Sequence, residues 1–239
     1  MGNIYRTLCE KEYEAIRERI VYEDNHLLIF NKQSGEIVQG DKSGDEPLSE
    51  KLKAFIAQRD NKPGNVFLGV VHRIDRPVSG GVIFAKTSKG LSKMNEALRV
   101  GDIHKTYRAL VCNMPPKESD ELCNLLWRNE KNNKSYITLQ DKKGDKYKEA
   151  RLKYKLLGAT KNYYLLEIEL FTGRHHQIRA QLAHIGCPIK GDLKYGAPRS
   201  NRDGSISLHS YKIEFMYPVK KVQISVEIPN PQIDTNLLG

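Results

Sequence analysis

Short apolar segments of strand length follow one another along this chain of 239 residues, and few helical patterns separate them. Parallel strands need a crossover, usually a helix, whereas antiparallel strands can be joined by short turns. The sequence therefore predicts an α+β fold with a mainly antiparallel mixed sheet and flanking helices, rather than a doubly wound parallel sheet. Predicted strands fall near residue 21 and at 27–30, 66–71 (running into a loop from residue 72), 81–87, 105–113, 135–140, 150–158, 163–170, 212–216 and 222–228.

Helical spacing of apolar residues appears in only a few places. It predicts helices over 8–20, 48–58 and about 89–98. A fourth helix is expected within 171–197, where Thr172 is a candidate N-cap and Gly186 with Pro188 would end the helix. No repeat, low-complexity tract or linker rich in proline and serine interrupts the chain. We therefore expect a helical extension over 1–20 and a single domain over 21–239.

The charge balance points to a polyanionic partner. The formal net charge is +10 with a pI near 9.3, and a stretch rich in lysine and arginine covers 128–153. Nucleic acid is the partner that such a surplus indicates. An anionic membrane surface is the alternative, and a solvated basic surface without a partner is a third interpretation.

Two further features bear on the compartment. No apolar run approaches the roughly 20 residues that span a bilayer, and the charged N-terminus does not resemble a signal peptide. Cys9, Cys112, Cys123 and Cys187 form no Cys-x-x-Cys pair, so we expect buried thiols in a reducing compartment rather than a zinc site or a disulfide scaffold. The expectation is a cytoplasmic protein without membrane contact.

The segment 72–81 places charged groups between two apolar strands. His72, Arg73, Asp75 and Arg76 lie within five residues, and two glycines follow them. Nearby guanidinium groups favour the ionised form of a carboxylate, and loops at strand ends often carry catalytic groups. Asp75 is therefore a candidate catalytic residue. The alternative is a structural ion pair that fixes a turn.

The helix predicted within 171–197 has one apolar and one polar side. Arg179 falls at the border between the two sides, from which a guanidinium can reach a buried carboxylate. The expected buried side carries Ile178, Leu182 and Ile185, and the expected polar side carries Arg174, Gln177, Gln181 and His184.

Three histidines of this segment, His175, His176 and His184, could be considered as metal ligands. Their spacing is not that of the His-Glu-x-x-His helix. Ordinary hydrogen-bonding histidines on a polar helix face are the preferred interpretation, and no metal is expected.

A third candidate region is the strand over 104–111. Alternation places Lys105 and Tyr107 on the same side of the strand. Tyr107 could stack on a base of a nucleic acid, or it could be an ordinary core residue.

Together these segments resemble the RluA-type family of RNA pseudouridine synthases. The family's His-Arg-Leu-Asp loop stands here as HRID at 72–75, followed by SGGVIFAKT at 79–87. Its Lys-x-Tyr strand stands as KTY at 105–107, and its Gly-Arg-x-His-Gln-Ile-Arg motif as GRHHQIR at 173–179. HIGCPIKGDLKYG at 184–196, LHS at 208–210, YP at 217–218 and NKQSG at 31–35 match further elements, the last with Gln33 in place of a proline. The likeness covers about residues 20–229.

The resemblance implies a catalytic sheet with a central RNA-binding cleft. Asp75 would be the nucleophile, Tyr107 would lie against the target base, and Arg179 would pair with Asp75. Arg73 would enter the RNA and help to hold a flipped nucleotide. Lys32 and Arg174 would touch RNA or support the site. The remaining candidate substrate contacts are His72, Arg76, Lys105, Gln177 and Ile178.

The implied reaction isomerises uridine in structured RNA, either ribosomal or transfer RNA. The glycosidic bond to nitrogen breaks and a bond to carbon forms, so no cofactor is expected. An ionised Asp75 could attack the sugar, attack the uracil ring or remove a sugar proton, and the sequence leaves these routes open. We expect a monomer without the S4-type RNA-binding domain that many relatives carry. An RNA-binding protein with an inactive site and a nucleoside hydrolase are the rival interpretations.

Overall fold

The computed structural model describes residues 4–41, 43–138, 144–217, 221–233 and 238. The chain divides into two compact units, Met1–Ile103 with Phe215–Ile228 and His104–Glu214 with Pro229–Gly239. Three parts of the sequence predictions lie outside the described residues: Pro218, Lys142 with Lys143, and the end of the strand predicted over 135–140. Across the described residues, no helix is both long and apolar enough to cross a membrane.

The first unit combines three helices with short strands. β2 pairs with β1 on one side and with β4 on the other, and β3 also pairs with β4, all antiparallel. Nearly every residue of β2 and β4 is buried, as in a strand that is covered on both faces. The elements are α1 (Glu10–Arg17), β1 (Ile20–Glu23), β2 (Leu27–Lys32), α2 (Leu48–Arg59), β3 (Gly69–Val70), β4 (Ser79–Ala85) and α3 (Ser88–Val100).

Local side-chain chemistry fixes several element ends in this unit. The Asp24 carboxylate accepts hydrogen bonds from the backbone of His26 (2.7 Å) and Leu27 (2.8 Å), which closes the predicted turn between β1 and β2. Thr87 caps α3 by accepting from the Gly90 backbone, and Gly101, with φ 87°, ends that helix. The helices predicted over 8–20, 48–58 and 89–98 are therefore confirmed.

The second unit contains a sheet in the order β10-β5-β9-β8-β6-β7, and its pairings from β5 to β7 are antiparallel. Buried and exposed side chains alternate along β8, and α4 covers the buried face through Leu126, Ala150 and Ala180. The elements are β5 (Ile103–Val111), β6 (Ser119–Asn129), β7 (Lys134–Thr138), β8 (Lys148–Ala159), β9 (Tyr164–Leu170), α4 (Gln177–His184) and β10 (Leu208–Met216), whereas β11 (Gln223–Glu227) belongs to the first unit.

The predicted α+β class with a mainly antiparallel sheet is confirmed, with several local corrections. The strand predicted over 66–71 is limited to Gly69–Val70, and β6 was not predicted. The fourth helix does not begin at Thr172: its N-cap is His176, in a left-handed conformation with φ 52°. Two of the four cysteines, Cys9 and Cys123, are exposed rather than buried, and all four thiols are free.

Candidate active site

The Asp75 loop joins β3 to β4 in the first unit. His72 and Ile74 are buried, Asp75 is half-buried, and Arg73 is exposed. The Val78 backbone donates to the Asp75 carbonyl at 3.0 Å, which closes a tight turn around Arg76 and the following proline. The turn leads directly into β4, so its position is tied to a buried strand.

Arg76 turns toward a neighbouring loop. Its Nη1 lies 2.7 Å from the Asp45 carboxylate, and both side chains are about half exposed. An exposed pair of this kind is screened by water and contributes little to stability. Arg76 thus remains accessible to a polyanion, as the sequence interpretation of a substrate contact requires.

Lys32 supports the Asp75 loop from inside the unit. The side chain is 0% exposed, and its ammonium donates to the carbonyls of Gln33 (2.9 Å), Arg76 (3.1 Å) and Val78 (2.6 Å). Burial lowers the Lys32 pKa to about 8, although the negative charges of Glu36 and Asp75 counteract the shift. Of the two roles expected for Lys32, touching RNA or supporting the site, this geometry fits support.

In the second unit, α4 holds Arg179 in a buried ion pair. Its Nε and Nη2 donate to the two carboxylate oxygens of Asp192 at 2.7 and 2.9 Å. Arg179 is 5% exposed and Asp192 is 1% exposed. A bidentate pair fixes the plane of the guanidinium as well as its position. The Asp192 clamp was not predicted, although Asp192 lies in the GDLKYG segment that carried the resemblance.

The residues around this ion pair form a buried polar network. The Tyr195 hydroxyl accepts from the Ser135 backbone (2.8 Å) and lies 3.0 Å from Nδ1 of His176. The His176 ring stacks on His175 with centroids 3.8 Å apart. Burial, followed by the positive charge of Arg179, lowers the His176 pKa to about 2, so this imidazole is neutral at physiological pH.

The expected polar side of α4 is wrong in one respect, because Gln177 and Gln181 are buried. The Gln177 amide oxygen accepts from Thr172 Oγ1 (2.7 Å) and from the Arg174 backbone (3.0 Å). Gln181 donates to the carbonyls of two strands, at Leu122 (3.2 Å) and at Ala150 (3.1 Å). Both amides anchor the helix to the sheet, and Gln177 and Ile178 are 3% and 5% exposed.

Strand β5 and the segment before α4 hold the remaining candidates. Tyr107 and Lys105 are 6% and 8% exposed and lie on the same side of β5. Arg174 is exposed, and its Nε donates to the Glu149 carbonyl at 2.8 Å. The structure therefore groups the candidates in two sets. His72, Arg73, Asp75, Arg76 and Lys32 lie in the first unit, and Lys105, Tyr107, Arg174, Gln177, Ile178 and Arg179 lie in the second.

Comparison with known proteins identifies the class. The sequence profile of the family described as RNA pseudouridylate synthase matches residues 26–184, more than half of the chain. The chain therefore belongs to the RNA pseudouridylate synthase family, a family of isomerases that act on RNA, and the resemblance drawn from the motifs is confirmed.

Curated relatives and a solved structure agree with this assignment. The chain is 35% identical over 218 residues to ribosomal large subunit pseudouridine synthase C of Buchnera aphidicola subsp. Acyrthosiphon pisum, covering 88% of the chain and 67% of the relative. Ribosomal large subunit pseudouridine synthase D of Zymomonas mobilis is 30% identical over 240 residues, covering 96% and 74%. The chain spans about two thirds of the length of the curated relatives that it matches. Human RNA pseudouridylate synthase domain containing 4 shares the fold, with a TM-score of 0.76, 21% identity and coverage of 92% and 91%.

Proposed function

We propose that this chain converts specific uridines to pseudouridine in the RNA of the large ribosomal subunit, with Asp75 as the nucleophile. The observation that carries the proposal is the family match over residues 26–184, which includes the HRID loop. Two relatives that are ribosomal large subunit pseudouridine synthases supply the RNA class. Transfer RNA is the second substrate class to test. A cytoplasmic location follows from a ribosomal RNA substrate.

The reaction exchanges one bond to the sugar for another. The bond from C1′ to N1 breaks, the uracil ring turns, and C5 bonds to C1′. The proton on C5 leaves and N1 gains one, so atoms and electrons balance without an added reagent. The target base must first leave its stack, which costs a few kcal/mol. Stacking on Tyr107 and contacts from Arg73 and Arg76 would offset that cost.

Each charged group has a defined part in this proposal. Asp75 attacks as a carboxylate, and Arg179 stabilises its ionised form once substrate is bound. Asp192 holds the Arg179 guanidinium in plane through its two hydrogen bonds. Lys32 holds the backbone of residues 76–78 and so fixes where Asp75 begins its approach. Asp192 and Lys32 thus act through other residues, as positioning groups.

The decisive experiment compares wild-type protein with Asp75→Asn, which keeps the side-chain shape but removes the charge. Both are incubated with unmodified large-subunit ribosomal RNA and with tRNA transcripts, and pseudouridine is mapped by carbodiimide treatment and primer extension. We expect stops with wild type alone and a fall in rate of at least about 10⁴-fold for the variant. Asp60→Asn, on an exposed carboxylate after α2, is the matched control and should retain activity.

Each result separates the interpretations. Stops that persist with Asp75→Asn would show that Asp75 is not the nucleophile. Tight RNA binding without stops would favour an RNA-binding protein with an inactive site. Release of free uracil would favour a hydrolase. Stops only on tRNA would replace the ribosomal substrate with transfer RNA.

A further inference from the structure

Lys105 is a buried cation whose charge no group of the described residues balances. Its side chain is 8% exposed. No hydrogen bond or ion pair to its ammonium occurs among the residues that the structure describes. Burial alone lowers its pKa, without an opposing carboxylate. The side chain is largely buried, but its Nζ is not among the fully enclosed polar atoms of the described residues, so an anion from outside the chain can reach it.

Gly173 leaves open space beside this ammonium. A Cβ built on Gly173 would meet only Lys105 Nζ, at 3.8 Å, and no other atom within 4 Å. The backbone of Gly173 does not lie in the left-handed region, so its conformation does not require glycine. Packing against the chain does not require it either. The missing side chain therefore matters for what can approach Lys105.

Arg174 adds a second cation at the next position. The side chain is exposed, and its Nε is anchored on the Glu149 carbonyl at 2.8 Å. Anchoring one nitrogen orients the guanidinium while its remaining donors stay available, which suits the recognition of an oxyanion. The ammonium of Lys105 and the open glycine thus adjoin each other, and the anchored guanidinium follows at the next position of the chain.

We propose that Lys105, Gly173 and Arg174 form a binding corner for one phosphate of the RNA backbone beside the target uridine. This inference rests on the proposed function and names a contact that the enzyme uses. Two positive charges favour a phosphate over a neutral uracil carbonyl. Tyr107, proposed to lie against the target base, is two strand residues from Lys105 on the same face, roughly 7 Å along β5. That spacing is on the scale of a single nucleotide.

Binding to RNA at several salt concentrations tests the corner without requiring turnover. The variants are Lys105→Met, which removes the cation, and Gly173→Ala, which fills the open space. Lys155→Met, on an exposed lysine of β8, is the matched control. We expect each corner variant to weaken binding about tenfold or more. The slope of log K against log salt should fall by roughly 0.7–0.9, the share of one phosphate.

Chemical modification of the RNA identifies the phosphate itself. Synthetic substrates carry a neutral methylphosphonate on either side of the mapped uridine. We expect that a methylphosphonate at one of these two positions weakens RNA binding by wild type and by Lys155→Met. The same substitution should not change the RNA affinity of Lys105→Met, which has already lost the contact. If Lys105→Met shows the same slope of log K against log salt as wild type, and the same loss of affinity with methylphosphonate RNA, the proposed phosphate-binding corner is wrong. An absence of pseudouridine with wild type would instead overturn the proposed function, so the two failures are distinguishable.

Discussion

Among the residues that the structure describes, two lysines are buried, and their surroundings differ completely. Lys32 is 0% exposed and donates to three backbone carbonyls. Lys105 is 8% exposed and has no acceptor among the described residues. Burial lowers the pKa of both, but only Lys32 has carboxylates near enough to counteract the shift. The chain supplies hydrogen-bond acceptors for Lys32, whereas the described residues supply none for Lys105.

The difference separates residues that hold the site from residues that contact substrate. A buried polar group with all its partners in the chain rigidifies its surroundings. A buried charge without partners lowers stability and is tolerated where function uses it. By this criterion Lys32 and Asp192 belong to the framework, and Lys105 belongs to the binding surface. Truncation should therefore change stability in opposite directions for the two classes.

The largest expected effect is at Asp192. Asp192→Ala leaves the Arg179 guanidinium buried without its carboxylate, so we expect a loss of about 3–5 kcal/mol in the free energy of unfolding. Urea denaturation measures it, with Asp145→Ala, on an exposed loop carboxylate, as a control that should stay within about 0.5 kcal/mol of wild type. Unchanged stability of Asp192→Ala would remove Asp192 from the framework class.

Lys32→Met should have the next largest effect. Three carbonyls, of which that of Val78 is buried, lose their donor while the methionine fills similar space, so we expect a net loss of about 2 kcal/mol at pH 7. Lys53→Met, a half-buried surface lysine of α2, is the control. Activity should fall with stability, because residues 76–78 would no longer be held. A variant as stable as wild type would mean that Lys32 does not hold the loop.

The pH dependence of Lys32 has a definite sign. Its pKa is about 8 in the folded protein and 10.5 ordinarily. Between these values the unfolded chain binds the proton and the folded chain does not, so wild-type stability rises with pH. The stability difference between wild type and Lys32→Met should therefore widen by up to about 3 kcal/mol across this window. A difference that narrows there would contradict the lowered pKa.

The sequence predicts most of the strands and helices because the apolar pattern of each one is contained in a few neighbouring residues. Alternation and turn residues located nearly all strands of both units. β6 was not predicted because only Leu122 and Leu126 are buried along Ser119–Asn129, so apolar and polar residues alternate only weakly there. α4 was placed too early because Thr172 resembles an N-cap. The helix begins only after His176, whose left-handed φ of 52° no local pattern reveals.

For the candidate site, too, the sequence predicts the residues but not their long-range contacts. The family motifs predict Asp75, Tyr107 and Arg179 as site residues, but the sequence does not show which groups surround them. The partners of Gln181 lie at Leu122 and Ala150, remote in sequence, so its burial could not be predicted from a helix pattern. The contrast between Lys32 and Lys105 is likewise invisible in sequence, because both are strand lysines within matched motifs. Only the positions of acceptors distinguish them.

The smallest effect, and the one that sharpens the comparison most, is expected at Lys105. Lys105→Met removes an ammonium that lacks acceptors, so we expect the free energy of unfolding to rise by about 1 kcal/mol at pH 7. Because burial lowers the Lys105 pKa, wild type gains stability as pH rises toward 10.5, and the advantage of the variant should shrink there. Urea denaturation at pH 7 and pH 10 measures both statements. A variant that gains stability while it loses affinity for RNA has exchanged function for stability, which a structural lysine cannot do. A loss of stability at pH 7 would instead place Lys105 with Lys32, and the division between framework and binding surface would fail.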